Sequence, residues 1–232
     1  MQAKRIMQFL RDVTANNNRP WFQAHRDEYE AVKAEVDAAA VQAIARLSVM
    51  DPALARLTLK DVTYRFYRDT RFSADKSPYK DHMGIYIAAH GKKALHGGYY
   101  IHLQPGHCLL SGGNYWLPNN ILSACRAEMS GRAAEWLALV EGKKFLELFG
   151  RPGGSFLESP KGFGLQMLKK TPRGYDAPEA LSHYLRLKDF CAWHSVPDTF
   201  FEGDAWLDRM MEPFETVRPM VDFINAVVDD YE

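Results

Sequence analysis

The chain of 232 residues is 47% hydrophobic and 12% aromatic, enough apolar material for one large domain or two small ones with real cores, which excludes disorder as the dominant state. Lys plus Arg and Asp plus Glu each total 29, so the formal net charge is zero. A general coat for nucleic acid or anionic lipid, which would carry a clear cationic excess, is therefore excluded, and any such partner must be met by a local patch. Cys108, Cys125 and Cys191 are widely spaced and contain no CxxC pair, so they indicate neither a disulfide framework nor a cysteine zinc site. The expectation is a reduced, cytoplasmic protein. Lys4, Arg5, Arg11 and Asp12 interrupt the N-terminal apolar residues too early for a signal-peptide core, and no stretch approaches the roughly 18 apolar residues of a membrane span. Neither secretion nor a membrane partner is expected.

In chain order, Ile6, Phe9, Leu10 and Val13 fall on one helical face, Asn16, Asn17 and Asn18 supply turn chemistry, and Pro20 suits the first position of a new helix. From Trp21 to about Leu47, Tyr29, Val32, Val36, Ala43 and Leu47 keep helical spacing against polar Glu28, Glu30, Lys33 and Glu35. After Asp51-Pro52 the pattern changes to period two. Val62, Tyr64 and Phe66 alternate with Thr63, Arg65 and Tyr67, and β-rich runs come next at about 84–90, 98–104 and 107–111. Their short connections, including the turn Gln104-Pro105-Gly106-His107, predict a meander of antiparallel hairpins. Helical spacing returns from Asn119 to Phe149 as two helices broken near Gly131, with Gly150 stopping the second. Residues 150–164 hold five Gly and two Pro and are read as a long ordered loop. One strand-like run, 189–196, precedes C-terminal helices at about 199–211 and 213–228. The fold class is α+β: an antiparallel meander packed by N-terminal and C-terminal helices in a single domain, 1–232, with the C-terminal helices expected to cover apolar stripes of the first half.

The densest stretch of chemistry is residues 64–80, with five cations, two acids and five aromatics within seventeen residues. It leaves a predicted strand and enters a turn-rich loop, where a rigid scaffold presents side chains to ligands. Arginine forks match carboxylate or phosphate oxygens, and lysine adds a mobile charge. Arg65, Arg68 and Arg71 are candidate anion clamps, Asp69 an orienter or base, and Lys76, Tyr79 and Lys80 the rim. The competing reading is that Arg68 and Arg71 pair with Asp69, Asp75 or Asp81 and only staple the loop. The glycines of a Walker loop are missing.

Five of the eight histidines, His82, His90, His96, His102 and His107, lie in the meander, but no compact ligand motif joins them, so no metal and no cofactor is expected. His102, set between Ile101 and Leu103, is the one to inspect first. Trp21 with His25 at the start of the long helix, His102, and Trp116 after Gly112-Gly113, could wall a cleft or simply pack. No GxSxG elbow or Cys/His arrangement supports a nucleophilic hydrolase. Two further readings stay open, a nucleic-acid-binding module built on a basic stripe and a structural or interaction protein without a ligand.

The segments Asn17-Asn18-Arg19-Pro20-Trp21-Phe22 with His25-Arg26, and Tyr67-Arg68-Asp69-Thr70-Arg71-Phe72-Ser73 with Asp75-Lys76 and Pro78-Tyr79-Lys80, resemble the family called domain of unknown function 2461. The likeness runs on through Gly98-Tyr99-Tyr100, His102-Leu103, Gly112-Gly113, Trp116, Pro118, Pro172-Arg173-Gly174-Tyr175-Asp176, Leu185, Lys188 and Phe190, nearly the whole chain. The resemblance implies a soluble bacterial-type protein of about this length and carries no activity across. It adds Arg173 and Lys188 as candidate members of the basic cluster.

Overall fold

A computed structural model describes residues 1–175 and 178–231. Helix α1 (Ala3–Ala15) buries Ile6, Met7, Phe9, Leu10 and Val13 along one stripe. In α2 (Arg19–Ala24), Asn18 caps the first turn by accepting from the Trp21 amide at 3.0 Å, and Pro20 sits where a helix needs no donor. The expected single helix from Trp21 is divided at His25, and α3 (Arg26–Ser48) then opens with Asp27 and Glu28 and ends with Arg46, each sign at its favoured pole. A short 3₁₀ turn, Pro52–Arg56, is capped by Asp51 and leads to α4 (Leu59–Val62).

The strand expected at 62–67 does not form. Thr58 and Asp61 make a capping box, in which the Thr58 amide donates to Asp61 Oδ2 at 2.8 Å, so a helical turn takes Val62 instead. Beyond Val62 the chain pairs only through isolated bridges, Thr63 with Ile85 and Tyr67 with Tyr79, and Tyr64 stands 46% exposed instead of facing inward. Strands β1 (Met83–Ile87), β2 (Gly98–Leu103) and β3 (Leu109–Gly113) match the three predicted runs to within a few residues. The helical stretch after them is three helices and not two: α5 (Asn119–Gly131), α6 (Ala133–Val140) and α7 (Lys143–Leu148), the last ended by Gly150 at φ +73°.

The expected loop 150–164 contains a strand, β4 (Lys161–Phe163), too short and too glycine-rich to show a period. Gly162 is required there because a Cβ would strike the Trp193 ring and lie 2.6 Å from the Gly153 carbonyl oxygen. After α8 (Ser182–Leu185) and β5 (Ala192–Ser195) come a 3₁₀ turn at Asp198–Phe201, α9 (Trp206–Arg209) and α10 (Met211–Asp229). The five strands form an antiparallel open sheet in the order β1-β2-β3-β5-β4, so the class is α+β. The first three strands follow the predicted meander; β5 adds beside β3, and β4 pairs with β5 with Gly162 opposite Trp193.

The chain groups into two compact units, each made of separated segments. The first holds Met1–Lys92, Tyr100–Leu109 and Val196–Met211; the second holds Lys93–Tyr99, Leu110–Ser195 and Glu212–Glu232, so the glycine-rich segment 150–164 lies inside it. In the first unit, α1 packs on α3 and on the turn Asp198–Phe201, and rings of Phe9, Phe22, Tyr29, Phe66 and Tyr79 meet in one cluster, with Phe22 stacked on Tyr79 at 3.9 Å. In the second unit the buried ring of Trp136 is ringed by Phe163, Tyr184, Phe190 and Phe223 at centroid distances from 5.2 to 6.5 Å. Each such burial contributes roughly 2 to 3 kcal/mol.

Candidate functional site

The dense basic segment closes on itself like a hairpin. The Lys80 amide donates to the Phe66 carbonyl at 3.0 Å and the Arg68 amide to the Pro78 carbonyl at 2.9 Å, so residues 69–77 form the loop. Within it the cations are already engaged. Arg71 grips Asp69 through Nε at 3.0 Å and Nη2 at 2.7 Å, which holds the Asp69 carboxyl below its usual range. Arg68 pairs with Asp75, whose carboxyl is held well below the ordinary range by bonds from Ser77 first and Arg68 second. Lys76 donates to the Thr70 carbonyl at 2.9 Å. Asp69 is thus tied to its neighbouring arginine, and Tyr79 is not a rim residue: it is 2% exposed against Phe22, with its backbone clasped by Asn17. The Arg68–Asp75 pair is part-exposed, so Arg68→Ala is expected to lower stability by only about 1 kcal/mol, measured by chemical denaturation.

Arg65 and Lys80 lie outside that loop, on the two strand-like arms that close it. They share a groove of about 410 Å³, mouth included, with Tyr29, Lys33 and Asp37 of α3, with Tyr64, and with His82 to Gly84 at the start of β1. Lys33 is neutralised by Asp37 one helical turn on. Neither Arg65 nor Lys80 makes a salt bridge among the described residues, although the Arg65 charge also bears on Asp69, and the Lys80 ammonium is pushed down from the ordinary lysine value by burial and then by Arg65. Its Nζ stands 5.4 Å over the Tyr64 ring. Burial pushes the Tyr29 hydroxyl up to about 12, so it stays a donor at neutral pH.

Behind the groove runs a polar chain that the residue types alone did not announce. His82 Nδ1 meets Asp81 Oδ1 at 2.7 Å, and Gln104 Nε2 donates to Asp81 Oδ2 at 3.0 Å. Gln104 Oε1 meets His102 Nε2 at 2.8 Å, and Tyr100 Oη meets His102 Nδ1 at 2.9 Å. His102 is 3% exposed, and burial lowers its pKa to about 4, so it is neutral. The one sign of this in the sequence is the alternation along β2, where Tyr100 and His102 share one face, which Gln104 just past the strand end continues, and Tyr99, Ile101 and Leu103 take the other. Gly84 is open for the same reason, since a Cβ there would sit 2.5 Å from the Tyr100 hydroxyl oxygen.

The remaining candidates stand apart from the groove lining. Trp21 and His25 stack on each other at 4.0 Å at the α2–α3 junction, with His25 Nδ1 2.8 Å from the Trp21 carbonyl oxygen. In the second unit, Trp116 is 62% exposed, Arg173 is exposed on a bend, and Lys188 donates to Gln166 Oε1 at 2.9 Å. Among the described residues, no three His, Cys, Asp or Glu side chains converge as a metal site requires, and no helix is long and apolar enough to cross a membrane.

Fold and groove together define the class: an α+β protein with an open antiparallel sheet, whose first unit carries a groove lined by cations and by His82, which is held from outside the lining by Asp81. The chain belongs to the family described as conserved hypothetical protein (DUF2461), whose model matches residues 5–223. Neither a curated protein nor a solved structure was found to match it.

Proposed function

We propose that the groove of the first unit binds a small anion bearing phosphate or carboxylate oxygens, either as a held ligand or as an enzyme's substrate. The observation that supports this reading is the pair Arg65 and Lys80. Two cations close enough to disfavour each other, one of them half-buried, border a concavity with no carboxylate salt bridge to either among the described residues. An oxyanion between them would remove that repulsion, accept the arginine fork and find Tyr29 as a further donor. Of the sequence candidates, Arg65 and Lys80 carry the reading, and Arg68, Arg71 and Lys76 support it only by shaping the loop. We place the protein in the cytoplasm, in keeping with three free, buried thiols.

The test is calorimetric titration with inorganic phosphate. Arg65→Ala with Lys80→Ala together removes two charge-assisted hydrogen bonds to the anion, and is expected to weaken phosphate binding about 100-fold or more while leaving the melting temperature within a few degrees. Binding of equal strength in the double variant, or none in the wild type, would remove the groove from consideration.

A further inference from the structure

The chain of hydrogen bonds behind the groove has one consistent direction. Asp81 is ionised, its carboxyl held down chiefly by the bond from His82, so both its oxygens accept. Gln104 must therefore turn Nε2 toward Asp81 and Oε1 toward His102. That amide oxygen needs a donor, which puts the His102 proton on Nε2 and leaves Nδ1 to accept from the Tyr100 hydroxyl. On the other side, Asp81 Oδ1 takes the Nδ1 proton of His82. A neutral His82 then has its lone pair on Nε2, and its ring, 32% exposed, lines the same groove as Lys80 and Arg65.

We infer that Asp81 and His82 form an acid–base pair serving this groove, with His82 Nε2 exchanging a proton with an oxyanion-bearing ligand held by Arg65 and Lys80. The inference rests on the groove reading above. As base, Nε2 takes the proton of a ligand hydroxyl or of a water beside the ligand; the O–H electron pair stays on oxygen, and the imidazolium formed is balanced by the Asp81 carboxylate. As acid, the protonated ring adds a third positive donor to Arg65 and Lys80. Gln104, His102 and Tyr100 are positioning residues, which fix the Asp81 oxygen that His82 meets. An ion pair serving the fold alone needs neither the buried relay nor a histidine edge on the groove.

Among the described residues, these groups bear on His82. Asp81 holds it directly, and the His102 ring lies 4.7 Å away, neutral, with Tyr100 behind it. From the preceding arm come the cations Lys80 and Arg65, which line the same groove. From α3 come Lys33, cancelled by Asp37, and Tyr29, which stays protonated.

Two measurements on the full chain decide the matter. Long-range proton–nitrogen spectra of the imidazoles at pH 8 are expected to show His82 as the Nδ1–H tautomer, passing to Nε2–H in Asp81→Asn. Sulfate, whose own charge is constant in this range, is expected to bind about tenfold more tightly at pH 6 than at pH 8 with uptake of a proton, and His82→Gln to bind it weakly with no such dependence. An Nε2–H tautomer in the wild type, or the same pH dependence in His82→Gln, would overturn the acid–base role. Sulfate bound equally at both pH values would overturn that role and leave the groove reading intact, whereas no sulfate bound at either would overturn both.

Discussion

Replacing Gly113 by alanine is expected to destabilise the second unit by about 3 to 5 kcal/mol, the combined cost of a forbidden backbone conformation and a forced separation of two chain segments. Gly113 ends β3 at φ +127°, which L side chains rarely adopt. A Cβ there would overlap the Phe190 carbonyl oxygen and stand 2.7 Å from the Phe190 carbonyl carbon. The neighbouring backbones are clasped just beyond: the Phe190 amide donates to the Asn114 carbonyl at 3.0 Å, and buried Asn114 uses Nδ2 on the Leu95 carbonyl at 2.8 Å. The strand end therefore cannot back away without breaking these bonds. Gly106→Ala is the control, because Gly106 has φ +77° but nothing within 4 Å, so only conformational strain of about 1 kcal/mol applies. Urea denaturation of the two variants separates the causes. If Gly113→Ala loses no more than Gly106→Ala, the close approach to Phe190 does not matter.

The features of this fold that are legible in the sequence are those that local chemistry decides. The stripe of Ile6, Phe9, Leu10 and Val13, the Asn18-Pro20 helix start, the three runs of the meander and the stop at Gly150 each depend on a few adjacent residues, and each is present. Residues 62–67 read as a strand by their apolar alternation, but that alternation competes with the Thr58–Asp61 capping box, and the cap prevails in a segment with only isolated bridges to either side. At the site, composition marks residues 64–80 but does not say which cations remain unpaired. That depends on the loop: Asp69 and Asp75 consume Arg71 and Arg68, while the backbone bond from Lys80 to Phe66 sets Lys80 beside Arg65. Tyr79 is unreadable as core until Phe22 supplies the ring it stacks on. The relay is hidden because Asp81 and Gln104 are 23 residues apart, and only pairing of strands brings them to 3.0 Å.

The stability of the first unit is expected to fall by about 3 kcal/mol between pH 6.5 and pH 4 through His102 alone. The folded protein holds this imidazole neutral down to about pH 4, because burial in β2 disfavours its charge more than the bond to Gln104 supports it, whereas the unfolded chain protonates it at its ordinary value of 6.5. Its contribution is therefore complete above pH 6.5 and drains away as the pH falls toward 4, since only the unfolded state gains a proton over that span. Protonation also breaks the relay, because a charged ring has a hydrogen on Nδ1 and can no longer accept from Tyr100. His102→Gln removes the titrating group while keeping an amide of similar reach. That variant is expected to be less stable than the wild type at pH 8, with the gap closing by about 3 kcal/mol as denaturation is repeated down to pH 4. Parallel stability profiles for the two proteins across that range would mean that His102 titrates normally, and that the relay is neither as dry nor as fully joined as its geometry requires.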